Sequence, residues 1–114
     1  MEFEMPNEIT NFDEISFHDS GINKVIEDID TADITYEIDY PVDWGNNKYE
    51  KRQLVFRNTI NYEINEIPFG SKKQILDITE LEGIKTDNIL RRQIKIETNA
   101  GYRKLYCTRI EFTK

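Results

Sequence analysis

His18, Asp19 and Ser20 are consecutive, and between them they hold the three functional groups of a nucleophilic triad. His18 is the only histidine in the 114 residues. A triad needs its side chains to converge on one point, whereas neighbours on a strand face opposite ways. His18 and Ser20 can share a face, which puts Asp19 on the other. The trio better suits a structural turn, with His18, Asp19 and Ser20 supplying hydrogen bonds ahead of Gly21. An enzyme using His18 with a carboxylate is the weaker reading. No catalytic residue is assigned.

Metal and cofactor chemistry find little support. One histidine and one cysteine cannot fill a zinc site without carboxylates. The acidic run Glu27-Asp28-Ile29-Asp30-Thr31-Ala32-Asp33 has calcium-like composition, but it lacks the glycine and closing glutamate of the twelve-residue loop. Solvated turn carboxylates account for it. The five glycines are scattered singly, so no phosphate-cradling loop exists. Cys107, between Tyr106 and Thr108, reads as a small buried hydrophobe. Neither a metal nor a cofactor is expected.

Trp44 is the aromatic with most to offer. It lies in Pro41-Val42-Asp43-Trp44-Gly45-Asn46-Asn47, a polar stretch of turn-forming residues. There it acts either as a lid on the core or as an exposed contact, and tryptophan is enriched at interface hot spots. The acids around it add a second signal. Residues 1–43 hold thirteen acids and one base, Lys24, for a net −12; residues 44–114 hold nine acids and fourteen bases, for a net +5. Either the halves neutralise each other, or an acidic face awaits a basic partner. Trp44, Asp43, Glu37, Asp39 and Tyr40 are the candidate partner-binding residues.

These side chains need strands to hold them. Ile34, Tyr36, Ile38 and Tyr40 alternate with Asp33, Thr35, Glu37 and Asp39, a period of two that separates an apolar face from an acidic one. Pro41 is expected to end that strand. A turn at Asp30–Asp33 joins it to the Ile22–Ile26 segment as a hairpin. Leu54 and Phe56 lead toward Ile60, Tyr62 and Ile64, with a bulge or break at Asn58. Ile94 and Ile96 precede Asn99-Ala100-Gly101, and a strand through Tyr106, Thr108, Ile110 and Phe112 completes a second hairpin. Residues 71–82 are ambiguous. Ser71-Lys72-Lys73-Gln74 fits a capping box and Ile75, Ile78 and Leu81 have helical spacing, yet the β-rich surroundings favour a strand. The expected fold is all-β: a single antiparallel β-sandwich or partly closed barrel of about six or seven strands. It forms one domain, 1–114, with 1–12 a loosely ordered lead-in.

Bulk properties narrow the function further. Seventeen isoleucines favour strands. A net charge of −7 argues against nucleic-acid binding and against an anionic membrane surface, but it suits a basic protein partner. The acidic N-terminus does not resemble a signal peptide, and one cysteine fits a reducing compartment, so the cytoplasm is expected. Oligomeric state is open.

The stretch Ile15-Ser16-Phe17-His18-Asp19-Ser20-Gly21-Ile22, with Leu54-Val55-Phe56-Arg57-Asn58 and a closing Leu105–Phe112 strand, resembles a family of small bacterial proteins. They share an FHDS-like element near the start, and some are treated as immunity proteins of polymorphic toxin systems. The resemblance implies a β-rich fold and an interaction role, and it carries no catalytic residues. The reading is a non-catalytic protein-interaction domain, in its sharpest form an immunity protein that binds a basic toxin through an acidic face. The alternative is a small ligand- or carbohydrate-binding module, with Tyr36, Tyr40, Trp44 and Tyr49 as its stacking surface.

Overall fold

The alternating residues form strands because a half-buried sheet needs every second side chain to be apolar. The computed structural model describes residues 7–67 and 70–113, and within them the chain is all-β. In order come β1 (Asn7–Glu8), a 3₁₀ turn (Phe12–Glu14), β2 (Ser20–Asp28), β3 (Asp33–Asp43), β4 (Lys48–Arg57), β5 (Ile60–Glu66), β6 (Gln74–Thr86), β7 (Ile89–Thr98), β8 (Gly101–Cys107) and β9 (Arg109–Thr113). All pair antiparallel in one sheet, ordered β1-β9-β4-β3-β2-β6-β7-β8-β5. Among the described residues the strands number nine rather than six or seven, and the sheet they form is not closed.

The joint between β2 and β6 is thin. Only Ser20 with Ile75 and Gly21 with Gln74 pair across it. On either side of it the sheet doubles over, so Ile34, Tyr36, Ile38, Leu54 and Phe56 share one core with Ile75, Ile94, Ile96, Leu105 and Cys107.

Three expectations need correction. The strand β3 runs through Pro41 to Asp43; the ladder absorbs the missing N–H with a register shift between Pro41 and Asp43. The terminal run is two strands. Arg103, Leu105 and Cys107 face inward on β8, then Ile110 and Phe112 do so on β9, so the phase flips at Thr108. There the N–H of Thr108 donates to the Arg57 carbonyl at 3.0 Å, and the chain crosses from one half of the sheet to the other. Residues 7–12 are not a loose lead-in, since Asn7–Glu8 pair with β9 and Ile9 is buried; residues 1–6 lie outside the described residues. The first hairpin is β2–β3, as expected from the turn after Asp30.

Other expectations hold. Asn58, at φ 52°, breaks the chain between β4 and β5. The β7–β8 hairpin turns at Asn99–Ala100. Residues from Gln74 form a strand, and the helical spacing of Ile75 and Ile78 has a physical source. The ladder shifts between Ile75 and Asp77, so residues three apart both face the core.

One buried polar network spans the doubled sheet. Glu66, at the end of β5, has a side chain 3% exposed, and Arg103 of β8 is 8% exposed. Arg103 donates to both carboxylate oxygens, at 2.9 and 3.1 Å. Lys73 and Thr98 donate to the same carboxylate at 2.9 and 2.7 Å. The remaining arm of Arg103 reaches the hydroxyls of Tyr36 and Tyr62, at 3.2 and 3.1 Å, which are 2.5 Å from each other. Strands β3, β5, β7 and β8 are thereby tied at one point.

Burial alone would raise the Glu66 pKa, but bonds from Arg103, Lys73 and Thr98 outweigh it and hold the carboxyl at about 2. A folded pKa below the unfolded value stabilises the protein above about pH 4.5 and is lost as pH falls toward 2. Wild-type stability should therefore drop by roughly 3 kcal/mol more than that of Glu66→Gln over this window. At neutral pH Glu66→Gln should already be destabilised by about 3–5 kcal/mol, because it strands the Arg103 charge. Urea midpoints at successive pH values measure both, and parallel pH profiles would contradict the first.

Candidate functional site

The two segments singled out by sequence meet in space. Phe17 and His18 precede β2 in a turn closed by the Ser20 N–H donating to the Phe17 carbonyl at 3.0 Å, with Asp19 at φ 64°. Phe17 is buried against Tyr40 and Phe112, while His18 points to the surface. The N–H of Asp19 donates to the Ile75 carbonyl, and Nδ1 of His18 lies 2.8 Å from the Leu76 carbonyl oxygen, which fixes the proton on that nitrogen. The turn therefore docks on β6 through two backbone carbonyls. Trp44, at the tip of the β3–β4 hairpin, stacks on the His18 ring at 5.9 Å and 16°.

The tip itself is held by Asp43. Its carboxylate accepts from the Asn46 N–H at 3.3 Å and from the Asn46 side-chain amide at 2.7 Å. Asn47, at φ 54°, completes the reversal. Trp44 remains 56% exposed and Tyr49 44% exposed, which removes the core-lid reading of Trp44.

Alternation on β3 puts Glu37 and Asp39 on the outer face. Two open grooves of about 300 Å³ flank them, one lined by Asn23, Glu37, Lys51 and Gln53, the other by Asp19, Asp39, Tyr49 and Lys72. Asp39 accepts from Lys72 at 2.6 Å and from Asn23 at 3.0 Å, with Lys51 at 3.7 Å. The Lys72 and Asn23 bonds lower its pKa. Glu37 has no ion pair among the described residues. Tyr40 faces the other way, in the cluster of Phe17 and Phe112 with Arg52 over its ring at 5.5 Å. Of the five partner-binding candidates, then, Glu37 and Asp39 lie on the outer face of β3, Asp43 and Trp44 lie at the hairpin tip, and Tyr40 faces the core. Nor do Tyr36 and Tyr40 join Trp44 and Tyr49 in a stacking surface, because Tyr36 is fully buried.

His18, Asp19 and Ser20 do not converge as a triad. Nε2 of His18 lies 3.5 Å from the Asp19 carboxylate, but Ser20 is fully buried and its hydroxyl has no hydrogen-bond partner among the described residues. Cys107 is buried, and burial pushes its thiol up to about 12. Among the described residues no group of three or more His, Cys, Asp or Glu is placed to hold a metal. What the arrangement offers is a shelf of two exposed aromatics on a braced hairpin, beside a rim of mixed charge.

The charge split is settled only in part within the fold. Asp33 pairs with Arg57 at 2.9 Å, and Arg57 also binds Glu111; Asp39 pairs with Lys72 and Lys51, and Glu8 lies 3.9 Å from Arg109. Asp13, Glu27, Asp28, Asp30, Glu37 and Asp43 have no ion pair among the described residues. Sequence reasoning missed Tyr49 as a neighbour of Asp39, and Lys72 as its partner; Tyr49 arrives from β4 and Lys72 from the segment just before β6.

No protein-family model matches the chain, and no curated protein matches it.

If His18 braces the tip, His18→Ala should move Trp44 emission to longer wavelength and raise the local mobility of the indole. Global stability should change by less than about 1 kcal/mol, since both rings are exposed. Steady-state and time-resolved fluorescence would register this, and an unmoved spectrum would count against the stack.

Proposed function

We propose that the chain is a non-catalytic protein-interaction domain that docks a basic protein on the Trp44 corner of its outer face. The observation that carries the reading is the state of Trp44: a large aromatic left more than half exposed on a hairpin tip braced by Asp43, Asn46 and His18. A pre-ordered aromatic loses little conformational freedom on binding, which is what a hot-spot residue requires. The doubled-over sheet, sandwich-like, supplies the rigid frame.

Charge chooses the partner. The protein is net −7, and of its acids without an ion pair among the described residues Asp43 lies at the Trp44 tip and Glu37 on the outer face of the same strand. An acidic surface speeds encounter with a cationic one, and burial of Trp44 and Tyr49 then slows release. In the sharpest form the chain is an immunity protein in the cytoplasm. Nuclease toxins carry basic surfaces to hold phosphates, and an acidic domain can cover such a surface. Asp39, committed to Lys72 and Asn23, serves as framework for this face.

The test uses the tagged chain as bait in its native cells at low and high salt. A basic protein should be retained by wild type at low salt, shed at high salt, and lost from both Trp44→Ala and Glu37→Lys. With the purified partner, Trp44→Ala should weaken affinity by about 2 kcal/mol or more, mostly through faster dissociation, while Glu37→Lys should mainly slow association. Full retention by both variants would remove the proposal.

A further inference from the structure

A second surface lies at the far end of β3, about 30 Å from Trp44 at the rise of a strand. Strand β5 ends the sheet order, so among the described residues one of its edges is unpaired. Strand β2 is also unpaired on one side beyond Ile22, whose N–H donates to the Lys73 carbonyl at 2.8 Å. The two free edges border one opening. Lys73 closes one end, with its carbonyl on Ile22 and its ammonium on Glu66. At the other end a groove of about 220 Å³ separates Glu27–Ile29 from Ile60–Tyr62.

The side chains along this opening are left uncovered on the faces where a core would be expected. Ile64 sits between Tyr62 and Glu66, sharing their inward phase on β5, yet it is 53% exposed. Across the opening, Glu27 pairs with the buried Ile34 and so has the inward phase of β2, yet it is exposed. Ile29, at the β2–β3 tip, is 93% exposed. Native sheets usually shield an edge with a bulge or a charge. Here the bulge at Asn61 disrupts only the start of β5, and from Glu63 to Glu66 the ladder with β8 is regular.

We propose that the β5 edge takes up an extended segment of a partner protein as a tenth strand, one that alternates apolar with basic residues. The free ladder groups of β5 supply main-chain hydrogen bonds, and Ile64 and Tyr62 seat the apolar side chains. Glu27, Asp28, Asp30 and Glu63, none ion-paired among the described residues, meet the basic ones. The same charges disfavour a second copy of this chain, because pairing two β5 edges sets acids against acids in molecules of net −7. This surface shares no residue with the Trp44 corner, so either can fail without the other.

The experiment measures amide hydrogen exchange by NMR on the full chain with three capped nine-residue peptides: alternating Lys-Val, the same composition in two blocks, and alternating Glu-Val. The alternating Lys-Val peptide should slow exchange of outward β5 amides between Tyr62 and Glu66 by about tenfold or more at low salt, and the other two should not. Ile64→Lys, at a half-exposed position, should keep the wild-type melting temperature and lose the protection; Glu63→Lys should reduce it. Protection by the Glu-Val or block peptide, protection confined to the Trp44 tip, or β5 protection that grows with protein concentration alone would each overturn the proposal.

Discussion

A sheet of nine strands held across its middle by two residue pairs among the described residues needs another tie to stay doubled over, and the buried contact of Arg103 with the Tyr36 hydroxyl is such a tie. Hydrophobic burial draws the halves together, but it is indifferent to small slips of one half on the other. The Arg103 guanidinium is not indifferent. It must meet Glu66 on one side and the Tyr36 and Tyr62 hydroxyls on the other, and these groups come from β5 and β3. Lys73 and Thr98 then occupy the remaining capacity of the carboxylate. A buried ion pair adds little net stability over apolar packing, though an unpaired half is costly. Its use here is to fix Arg103 within its own half of the sheet, so that a slip of one half on the other parts its free arm from the Tyr36 hydroxyl and leaves buried polar groups unmatched.

That network also explains how the acidic and basic parts of the chain relate. The most buried pair is made within the second half of the sequence, between Glu66 and Arg103. Cross-half neutralisation is done by Arg57 with Asp33 and by Lys72 and Lys51 with Asp39, at positions set by the β3–β4 ladder and the approach to β6. Bases outnumber acids in the second half, but many of them are used locally: Arg92 on Glu80 and on the Ile9 and Thr10 carbonyls, Lys73 and Arg103 on Glu66. The acids left over gather at the β2–β3 turn and along the outer face. Asp28 is partly committed there, accepting from the Asp30 and Thr31 N–H groups. Acids without an ion pair among the described residues thus remain at the β2–β3 turn, at Glu37 along β3 and at the Asp43 tip.

Much of the β architecture was legible from alternation alone. The core face of β3, the β7–β8 hairpin and the break at Asn58 all follow from apolar spacing and turn residues. What escaped sequence reasoning has a common physical origin, which is that a register change disguises the period. The bulge after Ile75 made a strand resemble a helix. The phase flip at Thr108 fused β8 and β9 into one strand of mixed face, which placed Tyr106 wrongly inward and Leu105 wrongly outward. Pro41 reads as a strand end because it lacks an N–H, yet a register shift accommodates it. The site was legible in its parts and not in its assembly. Trp44 and His18 stood out individually, but their stacking depends on the docking of residues 17–20 against β6, where His18 meets Leu76, 58 residues distant in sequence.

The burial of Ser20 carries weight for function as well as for fold. In a nucleophilic centre the hydroxyl must face the substrate and the imidazole must reach it. Here the strand period turns Ser20 inward at the β2–β6 joint, where any larger side chain would press on a connection only two pairs wide. His18 turns outward and spends Nδ1 on the Leu76 carbonyl. The same three residues that suggest catalysis when read as a string are therefore divided by the sheet surface: Ser20 serves the joint, Asp19 the left-handed turn, and His18 the underside of Trp44. A histidine bonded to backbone on one nitrogen and stacked under an exposed indole is placed to stiffen a surface. Stiffness is what converts an exposed tryptophan from a solubility liability into a residue suited to recognition.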